Sequence, residues 1–174
     1  MVALAHHISA DPGFKVHRVI GTNADAPAIQ AANDLGLKTT IVPFGPMFED
    51  NLFAALEGAD WICLAGFLRL LPASVVNQWD HRILNIHPAL LPKFGGKGMY
   101  GMHVHEAVLA AGETESGCSV HYVTAEYDEG AVIRQDQCPV LPEDTAETLA
   151  ARVLGLEHRA YFAALKEVAH RSRY

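Results

Sequence analysis

Apolar positions along this chain come in short runs, and the runs alternate between the two-residue rhythm of strands and the wider rhythm of helices. Residues 16–21 (VHRVIG) and 38–42 are rich in β-branched side chains and predict strands. Between them Asp25 and Pro27 predict a helix start, Asp as cap and Pro in the first turn, with Gly36 closing it. A further helix is predicted over residues 48–57. Residues 61–66 (WICLAG) form a near-continuous apolar run, the pattern of a central parallel strand covered by helices on both faces. Pro72 predicts a short helix, residues 82–86 (RILNI) a strand and residues 102–111 a helix. Two more strands, 119–124 and 131–137, join across a loop containing Tyr127 and Gly130. The last helix carries a capping-box pattern in Asp144 and Glu147, then one apolar face from Leu149, Val153, Leu156 and Ala160. Strands alternating with helices predict an α/β fold with a mostly parallel sheet, whose ligands sit at the carboxyl ends of the strands.

Composition narrows the function classes. Half the residues (50%) are apolar and only 19% are charged, enough to bury a core and too little charge for a disordered chain. A length of 174 residues predicts a single domain over residues 1–174. With 13 basic against 20 acidic residues the net charge is -7, which argues against nucleic acid or an anionic membrane as partner but permits a locally bound anion. Cys63, Cys118 and Cys138 are odd in number, widely spaced and without CxxC, so no disulfide framework is expected and a reducing, cytoplasmic setting fits. The sequence contains neither an apolar run of about 18 residues nor a signal-peptide pattern at its start.

The segment ILNIHPALLP carries the first candidate chemistry. Strand side chains two apart face the same side, so Asn85 and His87 point together while Leu84 and Ile86 point away. Pro88 keeps His87 extended and ends the ladder there. An amide and an imidazole side by side at the carboxyl end of a strand suit a developing oxyanion, one donating a hydrogen bond and the other a bond or a proton. Asp128 lies in the acidic loop AEYDEG. A carboxylate beside His87 would orient the ring and raise its pKa, although spacing alone also allows an ordinary acidic turn. His121, alternating with Ser119 and Val123, reads first as a structural strand histidine. His103 and His105 do not share a helix face and lack a third ligand, so no metal is expected. The run PKFGGKGMYG departs from the P-loop pattern because Lys97 precedes Gly98; it reads as a glycine-rich lid or an anion cradle.

Together the segments AGFLRLLP, RILNIHPALLPKFGGKGMYG, HEAVLAAGETESGCSVHYVTAEYDEG and QCPVLPEDTAETLAARVLGLEH resemble the phosphoribosylglycinamide formyltransferase family, the folate-dependent transformylases of purine synthesis. The resemblance runs over roughly residues 16–165. It implies a three-layer, Rossmann-like α/β sheet with helices on both faces. It also implies transfer of a formyl group from 10-formyltetrahydrofolate, as co-substrate, to the amino group of glycinamide ribonucleotide, with no metal and no covalent enzyme intermediate. Asn85, His87 and Asp128 match the family's catalytic trio. The folate would lie against Phe67, Leu68, Arg69, Leu70 and Leu71 on one side and Glu126, Tyr127, Asp128 and Gly130 on the other. Glu157, Ser119, His121 and Lys97 fall to the ribonucleotide side or to support of the trio. The implied partners are these two small molecules, with no nucleic acid and no membrane, in a monomer or homodimer.

One departure accompanies the resemblance. The family opens with a buried strand and a Gly-Ser-Gly-Ser-Asn type loop that receives the substrate's phosphate at a helix N-terminus. Here MVALAHHI resembles the tail of the helix that follows, so the usual first strand and phosphate loop are expected to be lacking. The alternatives are a formyltetrahydrofolate hydrolase, a methionyl-tRNA formyltransferase, which the acidic net charge disfavours, and a catalytically impaired folate-binding fragment.

Overall fold

The computed structural model describes residues 1–172. They form two compact units, residues 1–60 and a second unit beginning at Trp61.

The first unit contains α1 (Val2–Ser9), β1 (Val19–Gly21), α2 (Pro27–Asp34), β2 (Thr39–Ile41) and α3 (Phe48–Leu56). β1 and β2 run parallel, with Val19 opposite Thr39. The helix predicted from Asp25 and Pro27 is α2, with Pro27 in its first turn. Asp25 is not its cap: Ala26 is, without a side-chain bond. The local turn is instead made by Asn23, whose Oδ1 accepts from the Asp25 amide at 3.0 Å. Ile29, Ala32, Val42, Leu52, Ala55 and Leu56 are buried in this unit.

The second unit contains β3 (Ile62–Cys63), α4 (Ala73–Gln78), β4 (Ile83–His87), α5 (Met102–Ala110), β5 (Glu115–Tyr122), β6 (Val132–Pro139) and α6 (Ala146–Arg171). Its sheet runs β3-β4-β5-β6. β3 pairs parallel with β4, while β5 and β6 are antiparallel to their neighbours. The apolar run at 61–66 therefore gives a two-residue strand at the edge of this sheet, shorter and more peripheral than its composition predicts. Its ladder stops because Gly66, at φ 76°, turns the chain away.

α6 carries the long apolar face that the sequence foretells. Leu149, Val153, Ala160, Tyr161, Ala164, Leu165 and Val168 are buried along it. The Tyr161 hydroxyl lies 2.7 Å from the Leu64 carbonyl and 2.9 Å from the Leu84 carbonyl, bridging the ends of β3 and β4. The cap differs from the prediction by one residue. Thr145 and Thr148 exchange reciprocal bonds, each side chain accepting from the other's amide. Asp144 instead receives Arg152 through two bonds of 2.6 and 2.7 Å and the Leu141 amide at 2.7 Å. The guanidinium holds its carboxyl well below the usual carboxylate range.

Along β4 and β5 the two-residue alternation separates two faces. Leu84, Val120 and Cys118 are fully buried on one. Asn85, His87, Ser119 and His121 alternate with them on the other, and this polar face builds the candidate site.

Candidate active site

Strand register assembles the site in rows. On β4 and β5, Asn85 stands opposite His121 and His87 opposite Ser119. On β6, Gln135 stands opposite Ser119, so His87, Ser119 and Gln135 form one row across three strands. A register shift between Val120 and His121 marks a bulge in the β5–β6 ladder beside that row.

Asp128 enters from the loop between β5 and β6, in a left-handed conformation (φ 57°) that aspartate tolerates better than most residues. Its two oxygens face two histidines. Oδ2 lies 3.5 Å from His87 Nδ1, and Oδ1 lies 3.5 Å from His121 Nε2. Oδ2 also accepts from the Gly96 amide at 3.0 Å. Gly130 makes this loop path possible: a Cβ there would overlap the Tyr122 carbonyl. The Asn85 amide Nδ2 is 3.3 Å from His121 Nε2. His121 Nδ1 is 2.8 Å from the Tyr122 carbonyl. That carbonyl only accepts, so Nδ1 carries a proton and donates it.

Asn85 and His87 from β4 and Asp128 from the β5–β6 loop thus come together, with His121 linking Asn85 to Asp128. His121, first read as structural, touches both Asn85 and Asp128.

The same logic assigns the proton on His87. Its Nε2 is 2.7 Å from the Phe94 carbonyl, so Nε2 donates to that oxygen and Nδ1 faces Asp128. The expected rise in the His87 pKa is not found; the value is lowered. Burial of the ring is the largest cause and favours the neutral imidazole, and the His121 ring adds to it. The Asp128 carboxylate and the Phe94 carbonyl push the other way without overcoming burial. Asp128 itself is lowered. Burial would raise it, but the neighbouring His121 ring, the Gly96 amide and the His87 ring together outweigh that cost. The resting pair is therefore a carboxylate beside a neutral imidazole, with room for one proton between Nδ1 and Oδ2.

Ser119 is fully buried, and its hydroxyl is fully engaged. It donates to the Ala89 carbonyl at 2.6 Å and accepts from the Leu91 amide at 3.0 Å and from Gln135 Nε2 at 2.9 Å. No direction is left on it for a substrate atom. Leu68, Arg69 and Leu70 are exposed in the loop after β3, Phe67 is half-buried and Leu71 buried. On the other side Glu126 is exposed, Tyr127 half-buried and Gly130 buried. Lys97 is exposed in the glycine-rich segment. Glu157 stands half-buried on α6, its carboxyl pushed up by that burial. His103 is exposed and His105 buried, as opposite helix faces require. Among the described residues no cluster of His, Cys, Asp or Glu is arranged to hold a metal ion.

Three contributors escaped the sequence reading: the Phe94 carbonyl, the Gly96 amide and Gln135. The first two are backbone groups with no side-chain signature. Gln135 was reachable by counting back along the β5–β6 hairpin, but the bulge shifts that count.

Comparison with known proteins places the chain in a family. The family described as Formyl transferase matches residues 47–165. The chloroplastic phosphoribosylglycinamide formyltransferase of Arabidopsis thaliana is 52% identical over 104 residues, covering 60% of this chain and 36% of that protein. The chain thus spans about a third of that relative's length. The solved phosphoribosylglycinamide formyltransferase of Brucella melitensis superposes with a TM-score of 0.87 at 42% identity, covering 97% of this chain and 88% of that one. The one from Anaplasma phagocytophilum gives a TM-score of 0.88 at 38% identity, covering 98% and 81%. With the family match spanning more than half its length, this chain belongs to the formyl transferase family.

Proposed function

We propose that this chain, as one formyltransferase domain working in the cytoplasm, moves the formyl group of 10-formyltetrahydrofolate to the amino group of glycinamide ribonucleotide, in the synthesis of purines. The observation that carries the reading is the convergence of Asn85, His87 and Asp128 at the carboxyl end of β4.

The chemistry follows from the atoms available. The ribonucleotide's amine adds its lone pair to the formyl carbon, and the carbonyl π pair moves onto oxygen. Asn85 has two amide hydrogens and His121 engages one, so the other can meet that oxyanion. The attacking nitrogen must lose a proton, and N10 of the folate must gain one as its bond to the formyl carbon breaks. The carboxylate and neutral imidazole of Asp128 and His87 accept that proton and deliver it to N10. The oxygen pair then re-forms the carbonyl, leaving a formamide and tetrahydrofolate. The step balances without a metal or a covalent enzyme intermediate.

We assign the folate to the loop of residues 67–71, where Leu68 and Leu70 offer exposed apolar surface, and to the loop of residues 126–130. Glu157, His121 and Lys97 fall to the ribonucleotide, with Ser119 in support.

Incubation with 10-formyltetrahydrofolate, with and without glycinamide ribonucleotide, tests this reading through release of tetrahydrofolate. Release that requires the ribonucleotide is expected. Release without it would favour a hydrolase, and no release in either arm would leave a folate-binding fragment.

A further inference from the structure

Phe94 sits at φ 57°, in the left-handed region that a bulky side chain enters only against a steric cost. Its carbonyl is the group on His87 Nε2. Something must therefore hold the chain between His87 and Phe94 in this path. The bonds that do so converge on Ser119 and Gln135. Ser119 takes the Ala89 carbonyl and the Leu91 amide. Gln135 Nε2 donates to the Leu91 carbonyl at 2.9 Å and to Ser119 Oγ at 2.9 Å, so one amide group bolts the turn to its buried anchor. Lys93, next to Phe94, is tied to both carboxylate oxygens of Glu113 at 2.8 and 3.0 Å, fixing the far side of the same turn.

We propose that Gln135 is a positioning residue for the reaction: by holding the Leu91 carbonyl it keeps the Phe94 carbonyl on His87 Nε2, and so fixes the tautomer that leaves His87 Nδ1 facing Asp128. Without that acceptor a neutral imidazole places its proton on whichever nitrogen has the better partner, and the carboxylate would draw it to Nδ1. The slot that should receive the substrate's proton would then be filled at rest. Gln135 itself is exposed, so replacing it leaves the core intact.

Two variants of the full chain test the idea, and the kinetic arm rests on the formyl-transfer reading above. Gln135→Met keeps the length and removes the donor; Gln135→Lys returns a donor at similar reach. Imidazole 15N chemical shifts, recorded without substrates, report which His87 nitrogen carries the proton. The parent and Gln135→Lys are expected to show the Nε2–H form, and Gln135→Met a mixture with Nδ1–H. With both substrates, Gln135→Met should lower kcat by about five- to tenfold with KM within about twofold, and Gln135→Lys should recover most of the loss. An unchanged His87 tautomer in Gln135→Met overturns the proposal, whatever happens to its melting temperature; so does a loss that lysine fails to relieve. Because the NMR arm needs no substrate, a parent chain that transfers no formyl group counts against the function and leaves the tautomer result to decide this proposal.

Discussion

At the scale of single residues, the site is governed by a contest between burial and charge, and burial wins at His87. A carboxylate 3.5 Å away would ordinarily favour the imidazolium. The ring is almost fully inside the protein, however, and the net result is a value below the ordinary 6.5. An NMR titration should place the His87 midpoint under 6.5. Asp128→Asn removes the larger of the two causes that raise it, so the midpoint should fall further in that variant; a midpoint that rises would contradict the pairing. His87→Ala should lower turnover by at least about a hundredfold, the scale of a lost proton carrier, and near-parental turnover would remove it from the mechanism. The shared strand face of Asn85 and His87 was legible in the sequence because strand alternation is strict and Pro88 fixes where the strand ends. The lowered pKa was not, because burial depends on what packs around the ring, and residues distant in sequence do that packing. Asp128 could be named as acidic and nearby in a loop, but only the folded β5–β6 connection brings it to the ring.

Elements were read correctly where a periodic pattern ran long and poorly where one residue or one ladder decided the outcome. α6 is a case of both: its apolar face follows from Leu149, Val153 and Ala160, whereas its cap falls at Thr145 because Asp144 is drawn to Arg152. Thr145→Ala should therefore cost about 1 kcal/mol in urea denaturation, the usual loss of an N-cap; no cost would show that the reciprocal Thr145–Thr148 bonds are idle. The run at 61–66 shows the opposite limit. Its apolar composition speaks for burial, but strand length and place in the sheet are set by the Gly66 turn and by which neighbours pair. In the β5–β6 connection, Gly130→Ala would force backbone apart, since the added Cβ meets the Tyr122 carbonyl. A stability loss of about 1–3 kcal/mol is expected, accompanied by lower kcat because Asp128 lies two residues away; unchanged stability and rate would show that the loop path is not constrained.

For the whole molecule, two of the buried histidines make stability respond to acid. His87 and His105 both have values lowered by burial, so the unfolded chain takes up their protons more readily than the folded one. Their contribution is present above about pH 6.5 and fades as the pH falls through the folded values. Glu157, raised by burial, acts in the opposite sense at lower pH, so the difference between chains is the informative quantity. A double variant, His87→Gln with His105→Gln, should lose less thermal stability than the parent between pH 7 and 5; an equal or larger loss would contradict the burial account. The central claim is that Asn85, His87 and Asp128 carry formyl transfer. Its most direct test is a single-turnover reaction with 13C-formyl-labelled 10-formyltetrahydrofolate and glycinamide ribonucleotide, comparing the parent with Asp128→Asn. The account predicts labelled formamide from the parent and at least about a hundredfold slower labelling by the variant, with ribonucleotide affinity little changed; no labelled product from the parent, or equal rates in both, would contradict it.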